Sequence, residues 1–376
     1  MSKLHLLIAD KDVDYVNSVV LFLTNMYSGR FILSCFTEEQ RFIDYLEANM
    51  LPRDCKPEPD IVLLGSGFNA DNYHAVFSGL VILLEDQLDR TKIQKKEEKI
   101  KILKYQRGDI LIRQVLQIFS DVSSKDHCLS AGDQKTRVIA ICSSDGGAGK
   151  SVTAIGLSIQ SAWEGQKVFY LNLEFIPSIE LFFSGEQEQN LSNVLYYLKN
   201  TKKNIAIKLD GAKCVDPWYQ IHYFKGPDSV LDLKEDIACE LQSLVRELVS
   251  AGFYDRIYID MSSNLDQNYL AVLETCDDIL VVLTQDVISV EKTKKLVREF
   301  ELLERGKDIP LLEKVSLILN KYEKIGVDTE EMKICGKSIT LKIPRVTGLM
   351  IPHGSKYRLD MNSAFGTAIH ELAARF

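Results

Sequence analysis

Short apolar runs separated by amphipathic stretches fill the first third of the chain. LHLLIA from Leu4, FILSCF from Phe31, DIVLLG from Asp60, LVILL from Leu80 and IKILKY from Ile100 are rich in Ile, Leu, Val and Phe and read as strands. Between them, Val13–Met26, Glu38–Ala48 and Asp109–Asp121 repeat apolar residues at helical spacing. Nearly continuous apolar strands alternating with helices predict a parallel sheet covered on both faces. The pattern stops at Ser123: SSKDHCLSAGDQKT, through Thr136, is small, polar and aperiodic, as a linker is. A second series then begins, with RVIAIC, KVFYLNLE, RIYIDM, DILVVLTQ, VSLILN and SITLKIP as strands and Leu233–Ser250 and Val290–Leu303 among the helices. The expected fold class is α/β, with two doubly wound parallel-sheet domains over residues 1–122 and 137–376 joined by a linker at 123–136.

Composition narrows the function classes. The chain has 376 residues, 46% of them hydrophobic and 26% charged, which is the balance of a chain able to bury real cores. Its net charge of −8 divides into −3 before Arg137 and −5 from Arg137 onward, so neither half resembles a basic nucleic-acid-binding domain. The lysine-rich run Arg90–Lys104 is diluted by Glu97 and Glu98 and reads as a solvated segment. Eight cysteines without a CxxC pair or a histidine at zinc spacing predict reduced thiols. The start MSKLHLLIAD lacks signal-peptide order, and no apolar run approaches the roughly 18 residues of a membrane span. The expectation is a cytoplasmic protein with no direct membrane anchor, unless a partner carries it elsewhere.

The most informative residues are RVIAICSSDGGAGKSVTAIGLSIQSA. An apolar strand ends at Cys142, a glycine-rich turn follows, and a small-residue helix begins near Gly149, the strand–loop–helix context of a phosphate loop. Gly146, Gly147 and Gly149 let successive N–H groups converge, and the helix N-terminus adds partial positive charge. Lys150 is expected to meet the β- and γ-phosphates of ATP, and the Ser151 hydroxyl to bind Mg²⁺. The nucleotide-binding stretch runs through Asp145, Gly146, Gly147, Ala148, Gly149, Lys150, Ser151 and Val152.

DGGAGKS, from Asp145, resembles the KGGxGK[ST] loop of the MinD/ParA superfamily of deviant-Walker ATPases. In that family the first residue is a signature lysine that crosses an ATP-sandwiched dimer; the matching position here is Asp145. KVFYLNLEF resembles the family's second strand, which ordinarily ends in two aspartates; here these positions hold Asn172 and Glu174. The resemblance implies Glu174 as the carboxylate that polarises the attacking water and Lys150 as its catalytic companion, with Asn172 unable to act as a base. RIYIDMSS places Asp260 at the Walker-B position, a metal ligand with Ser151, and follows it with the switch-like hydroxyls of Ser262 and Ser263. LILNKY puts Asn320 where the family reads adenine, and Ile343–Pro344 opens the loop that covers the base in relatives. The altered positions leave slow hydrolysis or none as open alternatives. The last helical stretch, Met361–Phe376, lacks the basic face of a membrane-binding helix and reads as core.

The front domain resembles a response-regulator receiver. Asp10 and Asp12 match its acidic pair, and Lys104 falls where its last strand ends in lysine. Where the phospho-acceptor aspartate belongs, after DIVLL, stands Gly65, and a glycine has no side chain to phosphorylate. A degenerate receiver ahead of a MinD/ParA-like ATPase is the arrangement of the TadZ/CpaE group. That resemblance implies an ATP- and Mg²⁺-dependent homodimer that localises and assembles Flp/Tad-type pilus and secretion machinery. A partition-type ATPase acting on DNA, a metabolic or iron–sulfur enzyme of the superfamily, and a nucleotide-binding scaffold without turnover are the alternatives.

Overall fold

The computed structural model describes residues 3–27, 30–50, 59–65, 67–68, 79–87, 100–122, 136–200, 204–307, 310–324 and 333–376. Residues 123–135 of the expected linker, and residues 90–99 of the lysine-rich run, lie outside the described residues. The chain divides into two compact units, one of Met1–Asp133 with Thr201–Gly211, the other of Gln134–Asn200 with Ala212–Phe376.

The first unit contains β1 (Leu4–Ala9), α1 (Val13–Met26), β2 (Phe31–Phe36), α2 (Glu39–Met50), β3 (Ile61–Leu64), β4 (Leu80–Glu85), β5 (Ile100–Leu103) and α3 (Gly108–Val122). All its strands are parallel, in the order β2-β1-β3-β4-β5, the flavodoxin-like doubly wound order. The strands lack an alternating polar face because both faces are covered. Leu4, Leu6 and Ile8 of β1 pack with Val16 and Leu23 of α1 and Val115 and Leu116 of α3, while Leu7 and Ala9 pack with Phe42 and Leu46 of α2. Asp12 starts α1 by accepting a hydrogen bond from the Tyr15 N–H at 3.0 Å, which satisfies one donor of the open helix end.

The second unit contains β6 (Arg137–Cys142), α4 (Lys150–Trp163), β7 (Val168–Leu173) and α5 (Leu191–Asn200), after which α6 (Ile205–Ala212) belongs almost entirely to the first unit. It continues with β8 (Cys214–Val215), β9 (His222–Tyr223), α7 (Ala238–Ser250), β10 (Arg256–Met261), α8 (Gln267–Thr275), β11 (Asp278–Leu283), α9 (Val287–Lys307), α10 (Leu311–Lys314), β12 (Val315–Tyr322), β13 (Lys333–Ile334), β14 (Lys337–Pro344), β15 (Met350–His353), β16 (Lys356–Leu359) and α11 (Ala364–Ala373). Nine strands form one sheet, in the order β13-β14-β12-β11-β6-β10-β7-β9-β8, parallel from β14 through β9 with an antiparallel strand at each edge. β15 and β16 form a separate hairpin. One face of the sheet packs on α4 and α11 around Ile139, Tyr258, Leu280, Ile318, Phe365 and Ile369. Gly156 lets those helices approach, since a Cβ there would lie 3.0 Å from the Phe365 ring.

The expected α/β class is the observed one. The reading of 137–376 as one uninterrupted domain differs from the division found, because Thr201–Gly211 groups with the first unit. Ile207 is buried in that unit's core, and Asp210 forms a buried ion pair with Arg30 at 2.7 Å. An eight-residue helix is too short for its apolar pattern to show which core it serves.

Candidate functional site

After β6 ends at Cys142 the chain enters a loop in which Gly147 and Gly149 take φ of 77° and 98°, in the left-handed region that favours glycine. α4 then starts at Lys150 with Gly149 as its N-cap and no side-chain cap, so its first N–H groups are left to a ligand or solvent. The loop is held from β12. Asn320 Nδ2 donates to the Ala148 carbonyl at 2.8 Å, and Lys321 Nζ donates to the Gly147 carbonyl at 2.7 Å. Holding those carbonyls directs the N–H groups of Ala148 and Gly149 the opposite way across their planar peptides. A Cβ at Gly149 would lie 2.1 Å from Asn320 Nδ2, so the position excludes side chains for packing as well as for φ.

A cavity of about 370 Å³ opens beside the loop. Gly147, Gly149, Lys150, Ser151, Glu174 and Asn320 contribute its polar lining, and Val152, Pro344, Val346, Leu349 and Phe365 its apolar lining. Eight expected site residues thus meet around one space: Gly147, Gly149, Lys150, Ser151, Val152, Glu174, Asn320 and Pro344. Asp145, Gly146, Ala148 and Asp260 lie outside its lining. Lys150 is buried and donates to Ser263 Oγ at 2.9 Å, bringing one of the switch-like hydroxyls onto the loop.

Asp260, next to the last residue of β10, is fully buried. Its Oδ2 accepts hydrogen bonds from Tyr170 OH at 2.8 Å and Asn172 Nδ2 at 3.3 Å, while Oδ1 has no hydrogen-bond partner. Burial, and then the Glu174 charge, push its pKa well above the usual carboxylate range against the pull of Ser151, Tyr170 and Lys150. Burial likewise keeps Tyr170 a phenol, able to donate. A buried carboxylate oxygen without a donor, next to a hydroxyl, suits a hard cation such as Mg²⁺. Among the described residues no group of three or more His, Cys, Asp or Glu could hold an ion, so most of the coordination would come from phosphate and water. Asn172 accepts from the Glu174 N–H at 3.0 Å and donates to Asp260, a bridging role that an aspartate could fill only by placing a second carboxylate against Asp260. Glu174 is the sole carboxylate among the described cavity residues.

Asp145 turns away from the cavity. Its Oδ1 accepts from Ser289 Oγ of α9 at 3.1 Å, and Ser144 Oγ, with one proton to give, lies 3.3 Å from that oxygen and 3.0 Å from Thr293 Oγ1. Ser289, Thr293, Tyr170 and Lys321 escaped the sequence reading. Only Lys321 carried a local signal, as the residue after Asn320.

The first unit has its own cluster at the carboxyl ends of β1 and β3, where doubly wound sheets place ligands. Lys104 pairs with Asp10 at 2.9 Å and lies 3.5 Å from Asp12, with its ammonium 4.9 Å from the ring centres of both Tyr15 and Tyr105. Burial alone would lower the Lys104 pKa, but hydrogen bonds to Asp10 and Tyr105 outweigh it and raise it. A Cβ at Gly65 would sit 1.7 Å from Asp10 Oδ2. The Asp10 carboxylate therefore occupies the space a side chain at position 65 would need.

Residues 136–312 match the AAA domain family. The chain is 24% identical over 213 residues to an uncharacterized ATP-binding protein of Methanocaldococcus jannaschii, covering 55% of this chain and 74% of that protein. It is 26% identical over 200 residues to a protein described as septum site-determining MinD of Emiliania huxleyi, covering 52% and 67%. Among solved structures, a ParA family ATPase from Chlorobium tepidum superposes with a TM-score of 0.52 at 19% identity, over 64% of this chain and 99% of that one. A chain of the MinC:MinD cell division protein complex of Aquifex aeolicus gives 0.51 at 18% identity, over 64% and 95%. The second unit has the fold of the ParA and MinD ATPases.

Proposed function

We propose that this chain is an ATP-binding localisation and assembly factor for Flp/Tad-type pilus machinery, a homodimer whose formation depends on nucleotide and whose hydrolysis is slow. The observation that carries the nucleotide part is the buried Lys150 at the start of α4, on a cavity it shares with Ser151, Glu174 and the Asn320-anchored loop. When bound, Mg-ATP supplies a metal-bridged triphosphate. Ser151 and Asp260 are the residues to hold the metal, Lys150 and the loop N–H groups the phosphates, and the apolar lining with Asn320 and Pro344 the base. Glu174 orients the attacking water. Its neighbour Asn172 cannot take a proton, which favours a function carried by binding state over rapid turnover.

The pilus part is supported by the order of the two units, a flavodoxin-like unit ahead of a ParA/MinD-fold unit, as in the TadZ/CpaE group. The first unit serves as a docking surface, because its crevice is filled by its own Asp10 and Lys104. Among the described residues no helix is long and apolar enough to cross a membrane, so recruitment to a pole or membrane assembly would run through partner proteins.

Lys150→Ala is expected to weaken Mg-ATP binding by about 2–5 kcal/mol, the usual loss when one partner of a buried charge contact is removed, and to abolish ATP-dependent dimerisation in light scattering. Equal binding by the variant and wild type would overturn the nucleotide assignment. For the pilus role, deletion of the gene should abolish pili, and the Lys150→Ala form should fail to restore them or to concentrate at one site. Normal piliation of the deletion strain would exclude it. A second reading, a nucleotide-binding scaffold without turnover, is favoured by Asn172 and by Asp145 facing α9. Phosphate release by wild type no faster than by Lys150→Ala, under saturating Mg-ATP, would select it.

A further inference from the structure

We infer that Asp145 is a positioning residue that latches the phosphate loop to helix α9, making the loop's shape depend on a helix it never touches in sequence. The latch has three strands. Asp145 Oδ1 accepts from Ser289 Oγ at 3.1 Å. Ser144 Oγ contacts Thr293 Oγ1 at 3.0 Å, one turn further along α9. Ser143 Oγ donates to the Asp145 carbonyl at 2.5 Å, which fixes the backbone that aims the carboxylate.

The helix side is equally determined. Ser289 and Thr293 are both buried; Ser289 Oγ also accepts from the Thr284 N–H at 3.1 Å, and Thr293 Oγ1 donates to the Ser289 carbonyl at 2.7 Å. Asp286 caps the same turn by accepting from the Ile288 N–H at 2.8 Å. The first turns of α9 therefore offer a hydroxyl at a set position, and a carboxylate is an acceptor that the short Asp145 side chain can bring to it. Turned toward α9 and outside the cavity lining, the Asp145 carboxylate keeps its charge but stands farther from a polyphosphate at the loop, which weakens the repulsion that a carboxylate facing the cavity would cause.

The loop is thus held from two sides, by Asn320 and Lys321 of β12 on its later residues and by α9 on its earlier ones. Val287 and Ile288, exposed at the start of α9, sit on the same turn as the latch.

The test has two arms in the full chain. In nucleotide-free protein, Asp145→Ala and Ser289→Ala should each raise amide exchange about tenfold in both 143–149 and 287–293, while Asp145→Asn, whose amide oxygen still accepts from Ser289, should stay near wild type. With Mg-ATP, each alanine variant should raise Kd about tenfold, one charge-assisted hydrogen bond's worth, and the double variant should be no worse than either single one. Unchanged exchange in both alanine variants, additive losses, or tighter ATP binding by Asp145→Ala would overturn the latch. The binding arm rests on the proposed ATP reading. If wild type itself does not bind Mg-ATP, that reading fails and the exchange arm still decides the latch. Ser289→Ala removes the bond without altering the loop, so poor folding of one variant leaves the other decisive.

Discussion

Gly65 shows how much one missing side chain can decide. In sequence it is only the absence of an acceptor. In the fold it is the space into which the Asp10 carboxylate turns, to meet Lys104 between two tyrosine rings. Restoring an acid there does not restore a reactive site, because the new Cβ would collide with Asp10 Oδ2. Gly65→Asp is expected to destabilise the first unit by about 3 kcal/mol, as overpacking and disruption of a buried ion pair do, and to take up no phosphoryl group from acetyl phosphate with Mg²⁺. A well-folded variant that becomes labelled would refute this account of the crevice. The same lesson holds at Asn172, which occupies an acid's position in order to bridge Asp260 and Glu174, and at Asp145, whose charge is directed to α9.

Among the elements, those with a strong local pattern match their expected spans closely. β1, α1, β2 and β6 have the limits that periodicity predicts, because apolar runs and the Asp12 cap are local signals. The helix expected from Leu233 begins at Ala238, and Val230–Leu233 is instead a short 3-10 turn. Elements with little pattern escaped: β8 and β9 have two residues each, the β15–β16 hairpin is largely exposed, and α6 has only eight residues. α6 matters most of these, since Ile207 lies in the first unit's core and Asp210 pairs with Arg30 in a site where both side chains are at most 5% exposed. Asp210→Ala leaves the Arg30 guanidinium buried without its carboxylate, and the first unit should lose about 3–5 kcal/mol in denaturant unfolding. A loss below 1 kcal/mol would mean that α6 is peripheral to that unit's stability.

At the scale of the whole molecule, burial sorts the six thiols among the described residues. Cys142, Cys214 and Cys276 are buried, and burial pushes the Cys142 thiol up to about 11 and that of Cys276 to about 12; Cys35, Cys239 and Cys335 are exposed. Alkylation of the native chain followed by mass spectrometry should modify Cys239 and Cys335 and spare the three buried thiols until denaturant is added. Early labelling of Cys142, at the end of the strand before the phosphate loop, would show that this core opens readily. The α/β class, the order of the principal strands and helices and the phosphate loop with Lys150 can be read along the chain, because each is written in periodicity or in a contiguous motif. That Asp145 serves α9, 144 residues away, that Asn320 holds the Ala148 carbonyl across 172 residues, and that α6 completes the first unit's core are properties of the folded chain alone. Those outcomes turn on which distant donor, acceptor or cavity satisfies a group once the core has closed, and no local pattern encodes that choice.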